Sequence, residues 1–408
     1  LDTGCWILVA GSSLLILDSL IRSFSMTFNF RFFVKVFVTV LFRSKSPNAW
    51  IWLRRAVVLL ASYALFIVVE TGNWTGFLLD NILFPGHRTQ PIEKPVFIIG
   101  NPRSGTTFLQ RLLARDTANF SCLKMWEIFF APSITQRKIV WALGALDRWI
   151  GAPVKHIVDR VEARIRASTK LHKVGLRAPE EDEYLLLHTA STIVAGLLFA
   201  VPELAAPYVF FDCDIPPEEQ ARLMAFYAGC IRRHLYAHKA QGHFLSKNPY
   251  FTPKVAALRG AFPDAHFIVL TRNPLHMLPS YASLSWYVVR LLYTKKMFSI
   301  RDYVLTATQH WYRYPALRLV DKPDSFVEVK FEDMVHNPQA TVRTIYQHLG
   351  FEISPAFDTI LQQETERARA HKSQHEYSLE EMGFTREEIL TMYSDIFEKW
   401  GYEKNHES

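Results

Sequence analysis

Residues 95–109 read Pro95-Val96-Phe97-Ile98-Ile99-Gly100-Asn101-Pro102-Arg103-Ser104-Gly105-Thr106-Thr107-Phe108-Leu109, and this stretch decides the fold. Residues 96–99 form a short unbroken apolar run, the pattern of a strand buried on both faces. A turn with two glycines follows. From Thr106 onward Phe108, Leu109, Leu112 and Leu113 recur at helical spacing. Strand, glycine turn and helix together build an anion cradle. The glycines let backbone N–H groups converge, and the helix N-terminus adds positive potential. Thr106 and Thr107 supply hydroxyl donors, and Arg103 supplies a cation able to grip a phosphate with two parallel hydrogen bonds.

The spacing Gly100-x-x-x-x-Gly105 is the glycine frame of a nucleotide P-loop, but Thr106 stands where the P-loop lysine belongs. That lysine reaches the terminal phosphates in NTP chemistry, so its absence counts against a kinase or ATPase. At Arg103-Ser104-Gly105-Thr106-Thr107 the chain resembles the sulfotransferase family, and at Pro179-Glu180-Glu181-Asp182 its bacterial-type branch. In that family a [K/R]-S-G-T-T loop binds the 5′-phosphosulfate of 3′-phosphoadenosine 5′-phosphosulfate (PAPS). The resemblance covers about residues 92–384. It implies an α/β fold, P-loop NTPase-like, with a parallel sheet and helices on both faces. It also implies PAPS as co-substrate, with no metal required, and a 5′ site made of Arg103, Ser104, Gly105, Thr106 and Thr107.

A second buried strand is read from Ala265-His266-Phe267-Ile268-Val269-Leu270, which ends in Thr271-Arg272-Asn273-Pro274. A nucleotide hydrolase would want an aspartate there to hold Mg²⁺. Arg272 and Ser280 keep the spacing of the family's 3′-phosphate site. A second cation fits a second phosphate, which PAPS has and ATP lacks at the 3′ position. Lys247 ends a third short strand, where α/β sheets bind ligands. In the family a lysine at this place helps hold the sulfuryl group. The cytosolic branch carries a catalytic histidine two residues later, but here that position is Pro249. The weight of the proton-accepting role therefore moves to Glu180-Glu181-Asp182-Glu183, an acidic cluster that opens an apolar helix. Four adjacent acids cannot all face one site. Glu181 is the first choice as base and Asp182 the second. The other reading of these acids is a helix N-terminus stabilised by its dipole.

The 408-residue chain is 49% hydrophobic and carries a net charge of +7. This charge suits anionic ligands or an anionic membrane surface. No zinc spacing, RNA-binding aromatic motif or sustained basic helix points to nucleic acid. Cys5, Cys122, Cys213 and Cys230 are far apart, as for free thiols in a reducing compartment. Asn73 and Asn119 head glycosylation-type triplets, which arise readily by chance.

Residues 1–90 differ in composition from residues 91–408, which are read as the catalytic domain. Apolar runs at 5–21, 28–42 and 56–69, with Trp50, Trp52 and Arg54-Arg55 ahead of the last, form a hydrophobic helical extension. About 20 apolar residues are needed to span a bilayer. The third run reaches that only by including residues 51–53. Two readings stand: a spanning helix near 51–69, or interfacial helices lying on the membrane, with contact through residues 1–70. A soluble helical hairpin packed on the catalytic domain is the third. A single span would place the catalytic domain across the membrane, as in a Golgi-lumenal type II enzyme. Interfacial attachment leaves it facing the cytoplasm, and this is the preferred reading.

Residues 134–170 are basic and amphipathic, interrupted at Pro153, with Trp141, Leu146, Trp149, Ile150 and Val154 on apolar faces. Residues 281–320 are aromatic-rich, chiefly core, with some placed to line an apolar acceptor pocket. Residues 326–333 alternate like a strand, and Asn337-Pro338 opens a helix running to Leu349. Asp333 is read as a cap or loop residue rather than a metal ligand. His375 and Tyr377 lie in a tail able to close over a nucleotide. The function expected is sulfuryl transfer from PAPS to an acceptor hydroxyl, hydrophobic or lipid-like. The rivals are a P-loop kinase or NTPase with an atypical loop and a non-enzymatic membrane scaffold.

Overall fold

β1 (Val96–Gly100) is wholly buried and lies at the centre of the molecule's sheet. The computed structural model describes residues 27–43, 48–168, 175–194, 201–289, 299–370 and 378–402. The run 5–21, His375 and Tyr377 lie outside the described residues. With β2 (Phe120–Ser121), β3 (His243–Lys247), β4 (His266–Thr271) and β5 (Phe326–Lys330), β1 forms a five-stranded sheet in the order β2-β3-β1-β4-β5. Every pairing is parallel. The register sets Ile98 beside Lys247 and Gly100 beside Leu270, so the strand ends Gly100, Lys247 and Thr271 gather on one edge.

Parallel strands need crossovers that cover both faces, and β1 alternates accordingly. Val96 and Ile98 pack with Leu109, Leu112 and Leu113 on one face. Phe97 and Ile99 join the larger core on the other, with Tyr227, Phe251 and Phe267. The α/β reading, a parallel sheet with helices on both faces, is the architecture found.

α1 (Phe30–Val38) and α2 (Ala49–Leu83) precede the sheet. Ala56, Leu59, Tyr63, Asn73, Phe77 and Asp80 are buried along one side of α2. Leu59 and Tyr63 pack with Val36 and Val40, while Phe77 enters the main core. The Asp80 carboxylate accepts from the Ile134 and Thr135 amides, both at 2.8 Å, and from Arg233 at 3.1 Å. It thereby fixes α2 to the helix that starts there. Asn73 is fully buried and hydrogen-bonded to Gln136, so its glycosylation triplet is closed in the fold. The other side of α2 exposes Leu60, Leu65, Ile67 and Val68. By length and composition α2 is long and apolar enough to cross a membrane.

α3 (Thr106–Leu113) follows the glycine turn. α4 (Ile134–Trp149) and α5 (Pro153–Ser168) divide the amphipathic region near Pro153. The apolar residues of that region stand exposed: Trp149 is 83% exposed and Val154 59%. α6 (Pro217–His238) covers the sheet, and α7 (Pro274–Val289) follows β4.

Two local expectations differ. Residues 326–333 are not all strand: β5 stops at Lys330 and a helix begins at Phe331. The acidic cluster opens a 3₁₀ helix (Asp182–Thr189), with Glu181 at its N-cap, rather than an α-helix. At three residues per turn, neighbouring side chains point about 120° apart. That divergence sends each acid to its own partner. Among the described residues Cys122, Cys213 and Cys230 are free thiols, and burial pushes Cys122 and Cys230 up to about 12.

Candidate active site

The glycine turn is held by contacts that a side chain would break. Gly100 has φ +129°, and a Cβ there would lie 2.1 Å from the Leu270 carbonyl oxygen. Its amide donates to Thr252 Oγ1 at 2.9 Å, and the same hydroxyl donates back to the Gly100 carbonyl. Gly105, at φ +83°, caps α3 and faces the Phe331 ring and Met334. Arg103 is itself left-handed, at φ +69°. The Ser104 and Thr106 side chains are drawn inside by this turn.

The two strand ends meet. Arg272, just past β4, donates from Nη1 to the Arg103 carbonyl at 2.9 Å. Arg103 donates from Nε to Ser280 Oγ, on the second turn of α7, at 2.9 Å. The Arg272 guanidinium lies 4.4 Å from the centre of the Phe331 ring, a cation–π contact that fixes its plane. Tyr312 donates to the Arg272 carbonyl at 2.7 Å.

Beside this group stands a second. Lys247 is fully buried, and its Nζ donates to Thr107 Oγ1 at 3.3 Å and to Glu181 Oε1 at 2.9 Å. The Glu181 side chain keeps 15% of its surface open, the only member of that pair to do so. Asp182 turns away. It accepts from Ser246 at 2.9 Å and from Tyr227, and burial raises its pKa to about 7. Glu183 is buried against Lys254 at 2.8 Å, with Thr192 donating to its other oxygen. Burial pushes the Glu183 carboxyl up, partly offset by Lys254. The structure thus joins Arg103, Thr107, Glu181, Lys247, Arg272 and Ser280 along one edge, with Ser104, Gly105 and Thr106 in the turn between them.

Several polar atoms here are left waiting. Ser104 Oγ, Asn101 Oδ1 and Asn248 Nδ2 are buried, and none has a hydrogen-bond partner among the described residues. Buried polar groups are ordinarily paired. Two of these three are donors: Ser104 follows Arg103 in the glycine turn, and Asn248 follows Lys247 at the end of β3. That donor set fits an anionic, multiply phosphorylated ligand. Asn101 and Asn248 were not singled out from the sequence; each directly follows a strand-end residue, and that position was the available signal.

Another cluster brings Glu127, His234 and His238 donor atoms within 4.8 Å of one another. The buried Arg137 guanidinium stands 3.4 Å from His234 Nδ1 and supplies positive charge beside Glu127. Glu127 already accepts from His238 and the Lys124 amide. The cluster is therefore read as an internal charge network.

The fold is an α/β parallel sheet with a cationic glycine turn at its strand ends, and comparison defines the class. A profile of the sulfotransferase family matches residues 95–355. The omega-hydroxy-beta-dihydromenaquinone-9 sulfotransferase Stf3 of Mycobacterium bovis is 23% identical over 335 residues, spanning 77% of this chain and 76% of that protein. Its Mycobacterium tuberculosis counterpart matches to the same extent. Among solved structures, sulfotransferase STF9 from Mycobacterium avium superposes with a TM-score of 0.69 at 16% identity, covering 92% of this chain and 97% of that one. Sulfotransferase STF1 from M. tuberculosis H37Rv gives 0.64 at 21% identity, covering 88% and 90%. These two share the fold. The chain belongs to the sulfotransferase family. It is a transferase that moves a sulfuryl group, and the kinase and scaffold readings fall with that assignment.

Proposed function

We propose that this enzyme transfers a sulfuryl group from PAPS to the hydroxyl of a hydrophobic, lipid-like acceptor. The observation that carries the donor assignment is the link Arg272–Arg103–Ser280, which makes one site of two strand ends. Bound PAPS supplies the sulfuryl group and leaves as adenosine 3′,5′-bisphosphate. Arg272 and Ser280 hold the 3′-phosphate. Arg103 spans both ends: its backbone belongs to the turn and its guanidinium reaches Ser280. Ser104, Thr106, Thr107 and the amides around Gly105 hold the 5′ end at the N-terminus of α3.

Glu181 takes the proton from the acceptor hydroxyl, because it is the acid that meets both Lys247 and open surface. Asp182, the second choice, has both oxygens engaged in the core and is assigned a positioning role through Ser246 and Tyr227. Lys247 stabilises the negative charge that develops on the leaving side, then pairs again with Glu181. Tyr281 is buried and Tyr250 and Tyr303 are half-buried near these groups, and desolvation holds their phenols well above the usual range. They stay neutral and form an aromatic wall for an apolar acceptor.

The acceptor class rests on the hydroxylated isoprenoid quinone in the relatives' names and on the exposed apolar side of α2. Interfacial attachment through α2 leaves the catalytic domain on the cytoplasmic side, where the polar buried side of that helix stays with the protein. The test is transfer of labelled sulfate from PAPS to a long-chain prenyl alcohol and to a short, water-soluble alcohol. Transfer favouring the prenyl alcohol is expected. Transfer to the soluble alcohol alone rejects the acceptor class. Failure of adenosine 3′,5′-bisphosphate to raise the melting temperature rejects the donor.

A further inference from the structure

We infer that the α4–α5 hairpin is a second membrane-contacting element, inserting its tip into the headgroup region of an anionic bilayer. The reading starts from the tip. Asp147 accepts from the Val154 and Lys155 amides at 2.8 and 3.0 Å, capping α5. Gly151 and Ala152 turn the chain through left-handed conformations, at φ +93° and +60°. This closed turn holds Trp149 and Ile150 outward, at 83% and 57% exposure. Such a capped turn orders its backbone while leaving its largest apolar side chains in water, which costs free energy unless something covers them.

The apolar surface continues down both helices. Leu143 and Leu146 on α4 and Ile150 just past its end recur at helical spacing, as do Val154, Ile157 and Val161 on α5, and all are exposed. Cations flank them: residues 134–168 hold seven Lys and Arg against three acids. Exposed Lys138, Arg148, Arg160 and Arg164 are among them. A basic amphipathic helix with tryptophan at its margin matches a lipid surface whose headgroups are anionic.

Continuity with α2 adds the second argument. α4 begins on the Asp80 carboxylate of α2, and Lys138 lies over the Phe84 ring just beyond that helix. The hairpin and the exposed side of α2 therefore belong to one rigid junction. The hairpin also reaches toward the site. Glu162 of α5 accepts from the Leu176 amide at 2.8 Å, and Asp159 pairs with Arg177 at 2.9 Å. Residues 176–180 lead directly into Glu181. A hairpin seated in the headgroups holds the approach to Glu181 at the lipid side, so that an acceptor need not leave the bilayer to reach the base.

The inference deepens the membrane reading above and is independent of the donor. Its test uses the full chain without nucleotide, with phosphatidylcholine vesicles containing roughly one-third phosphatidylglycerol. Trp149→Glu with Ile150→Glu is expected to lower vesicle partitioning roughly tenfold with an unchanged melting temperature. In vesicles of brominated lipid, the intrinsic tryptophan quenching of the parent protein should fall on Trp149→Phe. That measurement decides the case in which α2 alone holds the protein to the vesicle. Unchanged partitioning together with unchanged quenching overturns the inference. So does a parent protein that fails to bind these vesicles. A double variant that turns a dimer into a monomer while binding vesicles as before also overturns it, in favour of a second copy on this face. None of these results bears on nucleotide binding, so a failed hairpin and a failed donor assignment remain distinguishable.

Discussion

Arg272 donates to the backbone carbonyl of Arg103 across the gap between β4 and the glycine turn, at 2.9 Å. A left-handed residue other than glycine costs roughly 1–2 kcal/mol, and Arg103 is left-handed. Its carbonyl is thereby presented to the second arginine, and its own guanidinium goes to Ser280. The strain at Arg103 thus sets up one continuous cationic surface rather than two separate ones.

Removing either arginine should therefore weaken the whole nucleotide, not one end of it. Hydrogen bonds to charged groups are worth about 1.5–3 kcal/mol each. Arg272→Ala and Arg103→Ala are each expected to lower affinity for adenosine 3′,5′-bisphosphate by roughly ten- to a hundred-fold, read by titration calorimetry. Arg272→Lys should recover little, because a lysine cannot reproduce both the planar fork and the stacking on Phe331. The two alanine effects should be far from additive, since the residues touch. Full additivity would show two independent sites and reject the shared one.

Glu181→Gln should separate chemistry from binding. A general base contributes roughly a hundred- to ten-thousand-fold to rate. The amide keeps its oxygen toward Lys247 but accepts no proton. Turnover is expected to drop within that range while the affinity for adenosine 3′,5′-bisphosphate stays within about threefold of the parent. An unchanged turnover number removes Glu181 from the mechanism and reopens the choice among the four acids.

The sequence made the sheet and the turn legible for a physical reason. Residues 96–99 and 267–270 are apolar without alternation, which only a strand covered on both faces allows, and Gly100 and Gly105 mark backbone in a left-handed conformation that other residues rarely adopt. The acids were less legible. Glu180 to Glu183 look alike in a row, and what separates them is the 3₁₀ turn and three distant partners, Lys247, Ser246 and Lys254. Pairings across 60 or more residues leave no local trace. At the hairpin, helical periodicity at Leu146 and Val154 reports an apolar face but not what covers it, and here the protein does not.

Asp182 gives a prediction in pH. Burial raises its carboxyl from the ordinary range to about 7 in the folded protein. The native state then binds more protons than the unfolded chain between about pH 4 and pH 7. Stability contributed by this group must fall as pH rises through that window and level off above it. Asp182→Asn removes the titration, while the Ser246 and Tyr227 hydroxyls can reorient toward the amide. The melting temperature of the variant, relative to the parent, should thus increase between pH 5 and pH 7.5. A difference that is constant across this range would mean that Asp182 is ionised throughout in the folded state.

Gly100→Ala tests the floor of the site. The added Cβ would lie 2.1 Å from the Leu270 carbonyl oxygen, a backbone atom within the β1–β4 pairing that cannot swing aside as a side chain could. The residue also has φ +129°, outside the regions alanine adopts. Relief requires moving β1 away from β4, which would part Arg103 from Arg272. The expected result is loss of more than about 3 kcal/mol of stability by chemical denaturation, or no soluble protein. Gly105→Ala provides the comparison, because there the close atoms belong to the Phe331 and Met334 side chains, which can shift. That variant should fold with a smaller loss and bind adenosine 3′,5′-bisphosphate more weakly. If Gly100→Ala proves as stable as Gly105→Ala, the close approach of the two central strands is not what holds the paired arginines together.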